Sequence, residues 1–471
     1  MTPQYNVEND KLLGRACIYL LIALLGFLFF YIACYPGYMS PDSMDQYIQS
    51  KTQIYSDWHP PIMSWWWWIL NFIFPGPQGM LFFHLLLLWG SLGALAIHFR
   101  AQKTAGLFLL IGLVPWLSNF EGVLWKDVGL AYTLLAASTV FIMTERKNLF
   151  STVIIIPMLL YAFMVRGNAF FAVIPFFWLL ARYLKPDLRF ISTAIYTLVL
   201  LLIFQSAAYL INYKILHAQK QHPEIFMMVD DLVHISAAVN KNLIPFVDDQ
   251  TVQLCSKKLN TSLSCIHKIA RAESKEYTKE NWHQVRSSLW LGAVIKYPRI
   301  YLKYRLACFL NFIRNDKKDP FYTTQFGTVD NSWGVVKERN ALTTPYESAV
   351  KSSIDFLPNF FKPYFWLIWN IIFGFLSLFL VGNKKIILCI RVLILSSLCY
   401  ILGYFPLVPN PDFRYIYWSI LAIHLAVAIF LVSDKVYLKL PFVKSIKSIW
   451  RKHNYLLPVI LRKSEGFRKG E

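Results

Sequence analysis

The sequence predicts an all-α polytopic membrane protein with about ten transmembrane helices, and three observations lead to this fold class. Of the 471 residues, 56% are hydrophobic and only 16% are charged, whereas charged residues make up about 25% of a typical soluble domain. Apolar runs close to twenty residues recur along the chain, and about 20 residues are needed to cross the hydrocarbon core of a bilayer. Much of the excess behind the net charge of +20 lies in short loops and the C-terminal tail, which positively charged cytoplasmic loops explain.

The same charge distribution limits the possible partners. Attraction of the basic tail to anionic lipid adds to the positive-inside pattern. Nucleic acid is a poorer explanation of the charge, so we expect membrane lipids, and no nucleic acid, among the partners.

Ten segments are predicted to cross the membrane, with the N-terminus in the cytoplasm. The first is longer than the core of a signal peptide and no small-residue cleavage site follows it, so we expect it to be retained. The cytoplasmic loops of this arrangement are basic, namely 100–103, 145–147, 182–189 and 383–385. The predicted spans lie near 13–35, 79–99, 105–120, 127–143, 149–165, 168–184, 190–212, 361–381, 385–405 and 413–432.

These spans divide the chain into four regions. Residues 1–212 form an N-terminal transmembrane module, whose first outer loop, 36–78, carries the candidate catalytic residues. Residues 213–360 form a small extracytoplasmic region with interfacial helices. Residues 361–432 hold the C-terminal transmembrane helices, and 433–471 form a basic cytoplasmic tail.

The apolar stretch 62–74 is predicted not to cross the membrane. It is short for a span, contains four consecutive tryptophans and ends at a Pro-Gly-Pro turn. Tryptophan is enriched at the membrane–water interface, so we expect a helix that lies on or dips into the outer leaflet. Counting this stretch as a span would place the basic loop 100–103 outside. Because basic loops favour the cytoplasmic side, we prefer the arrangement in which 62–74 does not cross.

Two cysteines of the outer region, Cys255 and Cys265, are predicted to form a disulfide. They lie ten residues apart in a segment placed outside the cytoplasm, where disulfides persist. Two free thiols are the alternative. The other five cysteines lie in or beside apolar segments, and no Cys/His spacing resembles a zinc site.

A predicted helix start in the first outer loop carries two carboxylates. Ser40 suits the N-cap and Pro41 the first helical position, so Asp42 and Asp45 share one face. Such a pair can serve as a general base, a metal site or an electrostatic anchor, although Asp42 can also simply support the helix N-terminus. A helix N-terminus lowers the pKa of a carboxyl group, whereas burial or a neighbouring carboxylate raises it.

The same loop contains His59, which is followed by two prolines that stiffen the chain and fix the start of the Trp-rich helix. His59 can bind a phosphate, position a substrate or act as a simple hydrogen-bonding group.

Cations are predicted at the outer ends of other spans. Lys126 lies on the outer side against the charge bias and suits an anion, while Asp127 can pair with it or cap the following helix. Arg166, close to Asn168, lies between two spans with almost no loop. A buried arginine needs an anionic partner or a functional reason.

Arg414 is the third outer cation, and Asp412 can neutralise it. The acids, the histidine and the three cations all lie at outer helix ends and none lies in mid-span. This pattern predicts a polar cavity at the outer membrane–water boundary. Because the phosphate of a membrane lipid lies at that depth, an anionic, lipid-attached substrate is expected.

These residues resemble the GT-C superfamily, the integral-membrane glycosyltransferases that use lipid-phosphate-linked sugars. The likeness covers the overall plan: an acidic first outer loop with interfacial helices, many spans and an outer domain late in the chain. Where the family usually has Asp-x-Asp or Asp-Glu, this chain has Asp-Ser-Met-Asp. The local anchors are Pro41-Asp42, Trp58-His59-Pro60-Pro61, Lys126-Asp127 and Arg166.

The resemblance implies transfer of a sugar from a polyprenyl phosphate to a glycan, lipid or protein acceptor of the cell envelope. In that family a first-loop acid is the catalytic base or a metal ligand, and basic residues hold the lipid phosphate. The donor is already activated, so a divalent metal is optional, and inversion at the anomeric carbon is expected. The resemblance implies Asp42 as the base, with Asp45 second, and Lys126, Arg166 and Arg414 as ligands of the phosphate. Together with the residues beside them, the candidate catalytic residues are Asp42, Asp45 and His59, and the candidate substrate-binding residues are Lys126, Asp127, Arg166, Asn168 and Arg414.

The family type also implies a bacterial inner membrane, with the active site on the periplasmic or extracellular side. Two other functions stay open. One is an envelope polysaccharide polymerase or ligase, whose donor is an oligosaccharide on pyrophosphate. The other is a transporter of lipid-linked sugars, although transporters tend to show internal repeats and mid-membrane charges, and neither is visible in this sequence.

Overall fold

The fold is known from a computed structural model. The structure describes residues 3–145, 147–275, 277–314, 321–408 and 411–439. Most of the predicted basic tail, 440–471, lies outside the described residues.

The described residues form 21 α-helices and one sheet of two short antiparallel strands. Two π-helical turns, Leu210–Ile215 and Val285–Leu289, extend helices. The helices are α1 Pro3–Cys34, α2 Pro41–Thr52, α3 Ile62–Leu70, α4 Gln78–His98, α5 Leu107–Ile111, α6 Pro115–Ser118, α7 Lys126–Met143, α8 Leu149–Met164, α9 Phe170–Leu184, α10 Phe190–Tyr209, α11 Glu224–Val239, α12 Asp249–Cys255, α13 Ser262–Ala272, α14 Lys279–Gln284, α15 Trp290–Lys296, α16 Pro298–Arg314, α17 Thr343–Phe356, α18 Pro363–Ser377, α19 Lys384–Leu402, α20 Tyr404–Leu407 and α21 Tyr417–Val432, and the strands are β1 Leu380–Gly382 and β2 Val436–Leu438.

Long apolar helices establish the fold class as an all-α integral membrane protein. Within the described ranges, six helical segments are long and apolar enough to cross a bilayer. Three more apolar helices, α8, α9 and α18, are shorter. The six long segments are Asn9–Cys34, Gln78–His98, Lys126–Met143, Phe190–Ile215, Lys384–Leu407 and Phe413–Val432.

The segment 105–120, predicted as one span, is not a continuous helix. It consists of α5 and α6, separated by a turn that ends at Pro115, because proline cannot donate the backbone hydrogen bond that a helix interior needs. Two tyrosines from later helices bond to carbonyl groups of α6. The Tyr417 hydroxyl donates to the Leu117 carbonyl at 2.8 Å, and the Tyr346 hydroxyl donates to the Ser118 carbonyl at 2.6 Å.

Basic loops meet at one end of the helix bundle. The Lys385 ammonium donates to the carbonyl of Thr144 at 2.5 Å, and the Lys147 ammonium donates to the carbonyl of Leu184 at 3.0 Å. Three of the four loops predicted to be cytoplasmic are therefore in contact with one another.

The first outer loop folds at the opposite end of the bundle. Tyr38 forms a parallel bridge with Val123, and Met39 forms one with Thr328. The Trp-rich α3 has nine residues, which at 1.5 Å per residue gives about 14 Å. This length is too short to cross about 30 Å of hydrocarbon.

Helices α11 to α15 form a second hydrophobic core of their own. Cys255 and Cys265 are joined by a disulfide there, with their Cα atoms 5.7 Å apart. Arg305 of α16 bonds to Asp231 at 2.7 Å, and both side chains are fully buried. The later part of α16 contributes Phe312 to the main core, so α16 joins the outer region to the membrane helices.

Candidate active site

Helix α2 places Asp42 at the end of the bundle opposite to the basic loops. Ser40 is the N-cap residue and Pro41 opens the helix, as the sequence predicts. However, no cap bond from the Ser40 side chain is formed. The Ser40 hydroxyl instead accepts a hydrogen bond from the indole of Trp125 at 2.7 Å. This bond ties the start of α2 to the residue that precedes α7.

Arg414 joins two carboxylates from distant parts of the chain. Its Nη1 donates to Oδ2 of Asp42 at 2.7 Å, and its Nε lies 2.9 Å from Oδ2 of Asp412. The expected pairing of Arg414 with Asp412 is therefore present, but Asp42 shares the guanidinium. The Asp42 side chain remains 33% exposed, so a substrate can still reach it.

His59 connects Asp42 to Lys126. The Lys126 ammonium lies 2.7 Å from Nδ1 of His59, and Nε2 of His59 lies 3.8 Å from Oδ1 of Asp42. An ammonium has only donors, so Nδ1 accepts and the ring carries its proton on Nε2, facing Asp42. Burial, followed by the charge of Lys126, lowers the pKa of His59 to about 3. The ring is therefore neutral at physiological pH.

Asp127 pairs with Arg166, and not with Lys126 as one reading of the sequence allowed. Nη1 of Arg166 contacts Oδ1 of Asp127, and Nε of Arg166 donates to Oδ1 of Asn168 at 2.8 Å. The side chains of Arg166 and Asp127 are 9% and 1% exposed. The arginine between α8 and α9 thus has the anionic partner that a buried guanidinium requires.

Aromatic rings hold the two arginines in place. The Arg414 guanidinium lies 4.5 Å from the ring centroid of Trp125, and Arg166 lies 4.5 Å from that of Tyr415. Tyr415 also lies 5.3 Å from Arg414. Cation–π contacts of this kind are worth up to about 2 kcal/mol when the ring and the cation are desolvated.

Asp45, the second acid of α2, lies apart from these ion pairs. Its Oδ2 accepts from the Gln49 amide at 2.7 Å. Burial and the neighbouring Asp42 raise the pKa of Asp45, while the Gln49 bond partly opposes them. Burial also acts to raise the pKa of Asp42, but nearby positive charge, above all that of Arg414, holds it at about 2. The two acids therefore have pKa values shifted in opposite directions.

The cluster is nearly neutral as it stands. Its three cations, Lys126, Arg166 and Arg414, are matched by the carboxylates of Asp42, Asp127 and Asp412. Lys126 differs from the two arginines, because across the described ranges its ammonium has no carboxylate within ion-pair distance.

Several buried polar atoms around the cluster have no hydrogen-bond partner within the described part of the chain. They include Oδ2 of Asp127, Nδ2 of Asn168 and both amide atoms of Gln46. Gln46 lies one helical turn after Asp42, so the two share one face of α2. A buried polar atom without a partner costs about 1–3 kcal/mol. Each of these unpaired atoms, on three separate elements, can be satisfied by a polar ligand or by water.

Among the residues that the structure describes, no three His, Cys, Asp or Glu side chains come together as a metal site. Asp42 and Asp412 both bond to Arg414, whose guanidinium takes the place that a cation would need between them.

The structure brings together all eight residues that the sequence singled out as catalytic or substrate-binding, with Asp45 at the edge. It adds Trp125, Tyr415 and Gln46, which the sequence analysis did not select. Trp125 and Tyr415 are direct chain neighbours of Lys126 and Arg414, so an aromatic residue beside an outer cation was an available signal. Nothing in the sequence distinguishes Gln46.

Comparison with known proteins does not assign a family. The chain matches no protein-family model, no curated protein and no solved structure. Its function is therefore inferred from its own residues.

Proposed function

We propose that this chain is a GT-C type glycosyltransferase that moves a sugar from a polyprenyl-phosphate donor to a cell-envelope acceptor. The observation that carries the proposal is the cluster of Asp42, His59, Lys126, Arg166 and Arg414 at one end of apolar helices, with unpaired buried polar atoms around it. A lipid phosphate lies at this depth while its chain stays in the hydrocarbon.

Lys126 is the first ligand for the donor phosphate. The ammonium bonds to a neutral imidazole, so a phosphate oxygen can approach it without displacing a carboxylate. Arg414 is linked to Lys126 through Asp42 and His59. It supplies the second cation to the phosphate once the donor is bound.

The reaction is a single displacement at the anomeric carbon of the sugar. The acceptor hydroxyl oxygen bonds to this carbon, the bond from the carbon to the phosphate oxygen breaks, and polyprenyl phosphate leaves with the bonding electrons. The hydroxyl proton passes to the Asp42 carboxylate. The negative charge that develops on the leaving phosphate is stabilised by Lys126 and Arg414, and the sugar inverts its configuration.

Donor binding is proposed to activate Asp42. In the structure Arg414 holds the pKa of this carboxyl at about 2, which makes it a weak base. A phosphate that shares the Arg414 guanidinium weakens the 2.7 Å bond to Asp42. The pKa of Asp42 then rises because burial acts in that direction. His59 faces Asp42 with its protonated Nε2, 3.8 Å from Oδ1 of the carboxylate.

We further propose that ten segments cross the membrane, including the broken segment 105–120. Gly106 lies beside Tyr19 in α1 and Gly122 lies beside Tyr38 just after it, so the segment between them runs along α1 for most of its apolar length. With the basic loops in the cytoplasm, the cluster faces the periplasm of a bacterial inner membrane. The disulfide between Cys255 and Cys265 supports an oxidising outer compartment.

Cysteine labelling tests this topology. Thr52 at the end of α2 and Lys103 in a basic loop are both exposed. We expect a membrane-impermeant maleimide to label Thr52→Cys in intact cells and to label Lys103→Cys only after the membrane is opened. The parent chain, with its own cysteines, is the background control, and labelling of both positions from outside would refute the ten-span arrangement.

A donor assay tests the function. Purified protein in lipid nanodiscs is given a panel of polyprenyl-phosphate hexoses with envelope extract as acceptor, and the released polyprenyl phosphate is measured. We expect release from at least one monosaccharide donor. Lys126→Met is expected to weaken donor binding about 10- to 100-fold, since a charge-assisted hydrogen bond contributes about 1.5–3 kcal/mol.

The matched control is Lys103→Met, which removes a lysine from the opposite end of the bundle and should leave donor binding unchanged. Consumption of an oligosaccharide on pyrophosphate, with no turnover of the monosaccharide donors, would favour a polymerase or ligase. Movement of the intact donor between leaflets without release of lipid phosphate would favour a transporter.

A further inference from the structure

A cavity at the opposite end of the bundle from Asp42 is not used by the proposed reaction. It has a volume of ≈ 540 Å³ and lies between α9, the start of α10, β1 and α19. This volume is within the range of about 300–1,000 Å³ that small-molecule sites occupy.

The charged groups of the cavity are all basic. Arg182, Lys384 and Arg391 line it, and no carboxylate does. The two arginines are anchored by backbone carbonyls: Arg391 donates from Nε to Ser377 at 3.1 Å, and Arg182 donates to Leu188. Over the described residues none of these three cations forms an ion pair within the protein. They therefore hold net positive charge around an open volume.

The rest of the lining suits a lipid. Trp178 and Phe190 form an aromatic wall with their ring centroids 5.0 Å apart, and aromatic residues favour the level of lipid headgroups. Phe190 and its neighbour Ile191 are 76% and 73% exposed. In the most apolar part of the segment Phe190–Ile215, only 11% of the residues are buried within the protein. The cavity thus adjoins an exposed apolar helix face.

We propose that this cavity binds the phosphate headgroup of an anionic phospholipid. The three cations hold the phosphate, and the exposed apolar face of α10 takes the acyl chains. Basic pockets between membrane helices on the cytoplasmic side are suited to anionic headgroups. A free anion would satisfy the cations but not the aromatic wall, and a zwitterionic lipid would bring its own cation next to theirs. This inference does not depend on the proposed transferase activity.

The test compares the binding of different lipids to the purified chain in an uncharged detergent. Native mass spectrometry counts bound dioleoyl-phosphatidylglycerol, dioleoyl-phosphatidylcholine or inorganic phosphate. We expect one phosphatidylglycerol to bind in preference to phosphatidylcholine. The triple variant Arg182→Gln, Lys384→Gln, Arg391→Gln is expected to bind it roughly 100-fold more weakly, because all three basic contacts to the anionic headgroup are removed.

The matched control is Arg100→Gln, Lys103→Gln, Lys147→Gln, which removes three cations near the same end of the bundle but outside the cavity lining. This variant should keep wild-type phosphatidylglycerol binding. Equal loss of binding in both variants would overturn the site, because it would indicate general charge attraction. Unchanged binding in the cavity variant would also overturn the site. Equal occupancy by inorganic phosphate would overturn the lipid assignment. Melting curves without added lipid show whether the first variant is folded, and a second variant, Arg391→Gln alone, is measured if it is not.

Discussion

Replacing Asp42 with asparagine is expected to lower sugar transfer by roughly 10²–10⁴-fold, the contribution of a general base. The amide keeps the size of the carboxyl group but cannot take a proton. The fold should survive, because Arg414 keeps its ion pair with Asp412, in which Nε lies 2.9 Å from Oδ2. The measurement is release of polyprenyl phosphate at saturating donor, with donor affinity measured separately.

Asp45→Asn is the matched control for this prediction, because it changes the other acid of the same helix. If Asp42 is the base, Asp45→Asn retains most of the activity. A variant pair with the opposite result, an active Asp42→Asn and an inactive Asp45→Asn, would assign the base to Asp45.

The pH dependence of kcat/KM separates the same two assignments, because it reports groups of the free enzyme. The pKa of Asp42 is held at about 2, so this carboxylate stays ionised as the pH falls and is lost only near that value. The pKa of Asp45 is raised, chiefly by burial, so a base at this position is lost at a higher pH. We therefore expect that protonation of the base causes no fall in kcat/KM as the pH is lowered from about 8 to 4. A fall of kcat/KM in that range that is absent from Asp45→Asn would contradict the assignment of Asp42 as the base.

Arg166→Ala is expected to destabilise the protein by about 3–5 kcal/mol, because it leaves a buried carboxylate without its partner. Asp127 is only 1% exposed and contacts Arg166 directly. The measurement is the melting temperature of the purified protein in detergent. An unchanged melting temperature would show that the ion pair is not buried in the way the structure describes.

The double variant Arg166→Ala, Asp127→Ala separates stability from function. Removing both charges removes the unpaired carboxylate, so most of the lost stability should return. Donor binding should remain weak if Arg166 also contributes to the phosphate site. Recovery of both stability and donor affinity in the double variant would limit Arg166 to a structural role.

The sequence predicts the long helices well because hydrocarbon imposes a length and a composition on any segment that crosses it. Six of the ten predicted spans, such as 190–212 and 413–432, coincide with helices of spanning length, and the predicted start of α2 at Pro41 is correct. Three further predicted spans, 149–165, 168–184 and 361–381, correspond to shorter apolar helices. The segment 105–120 is apolar enough to resemble a span, but composition does not reveal that the helix breaks at Pro115.

Positive-inside loops and outer polar residues also place the members of the site at one end of the bundle. They do not determine which residues pair, because Asp127 is next to Lys126 in the chain but contacts Arg166, and Asp42 contacts Arg414, 372 residues away. Those contacts depend on how the helices pack around one another. A sequence read one helix at a time does not contain that information.

The break between α5 and α6 has a consequence for how the protein is made. A segment enters the bilayer alone only if its own backbone groups are satisfied, and 105–120 does not form one helix. Tyr346 and Tyr417, which bond to the carbonyls of α6, are 228 and 300 residues further along the chain. When 105–120 leaves the ribosome, neither tyrosine has been synthesised. In the proposed ten-span arrangement, stable insertion of this segment is therefore completed late in biogenesis, after Tyr417 has been synthesised.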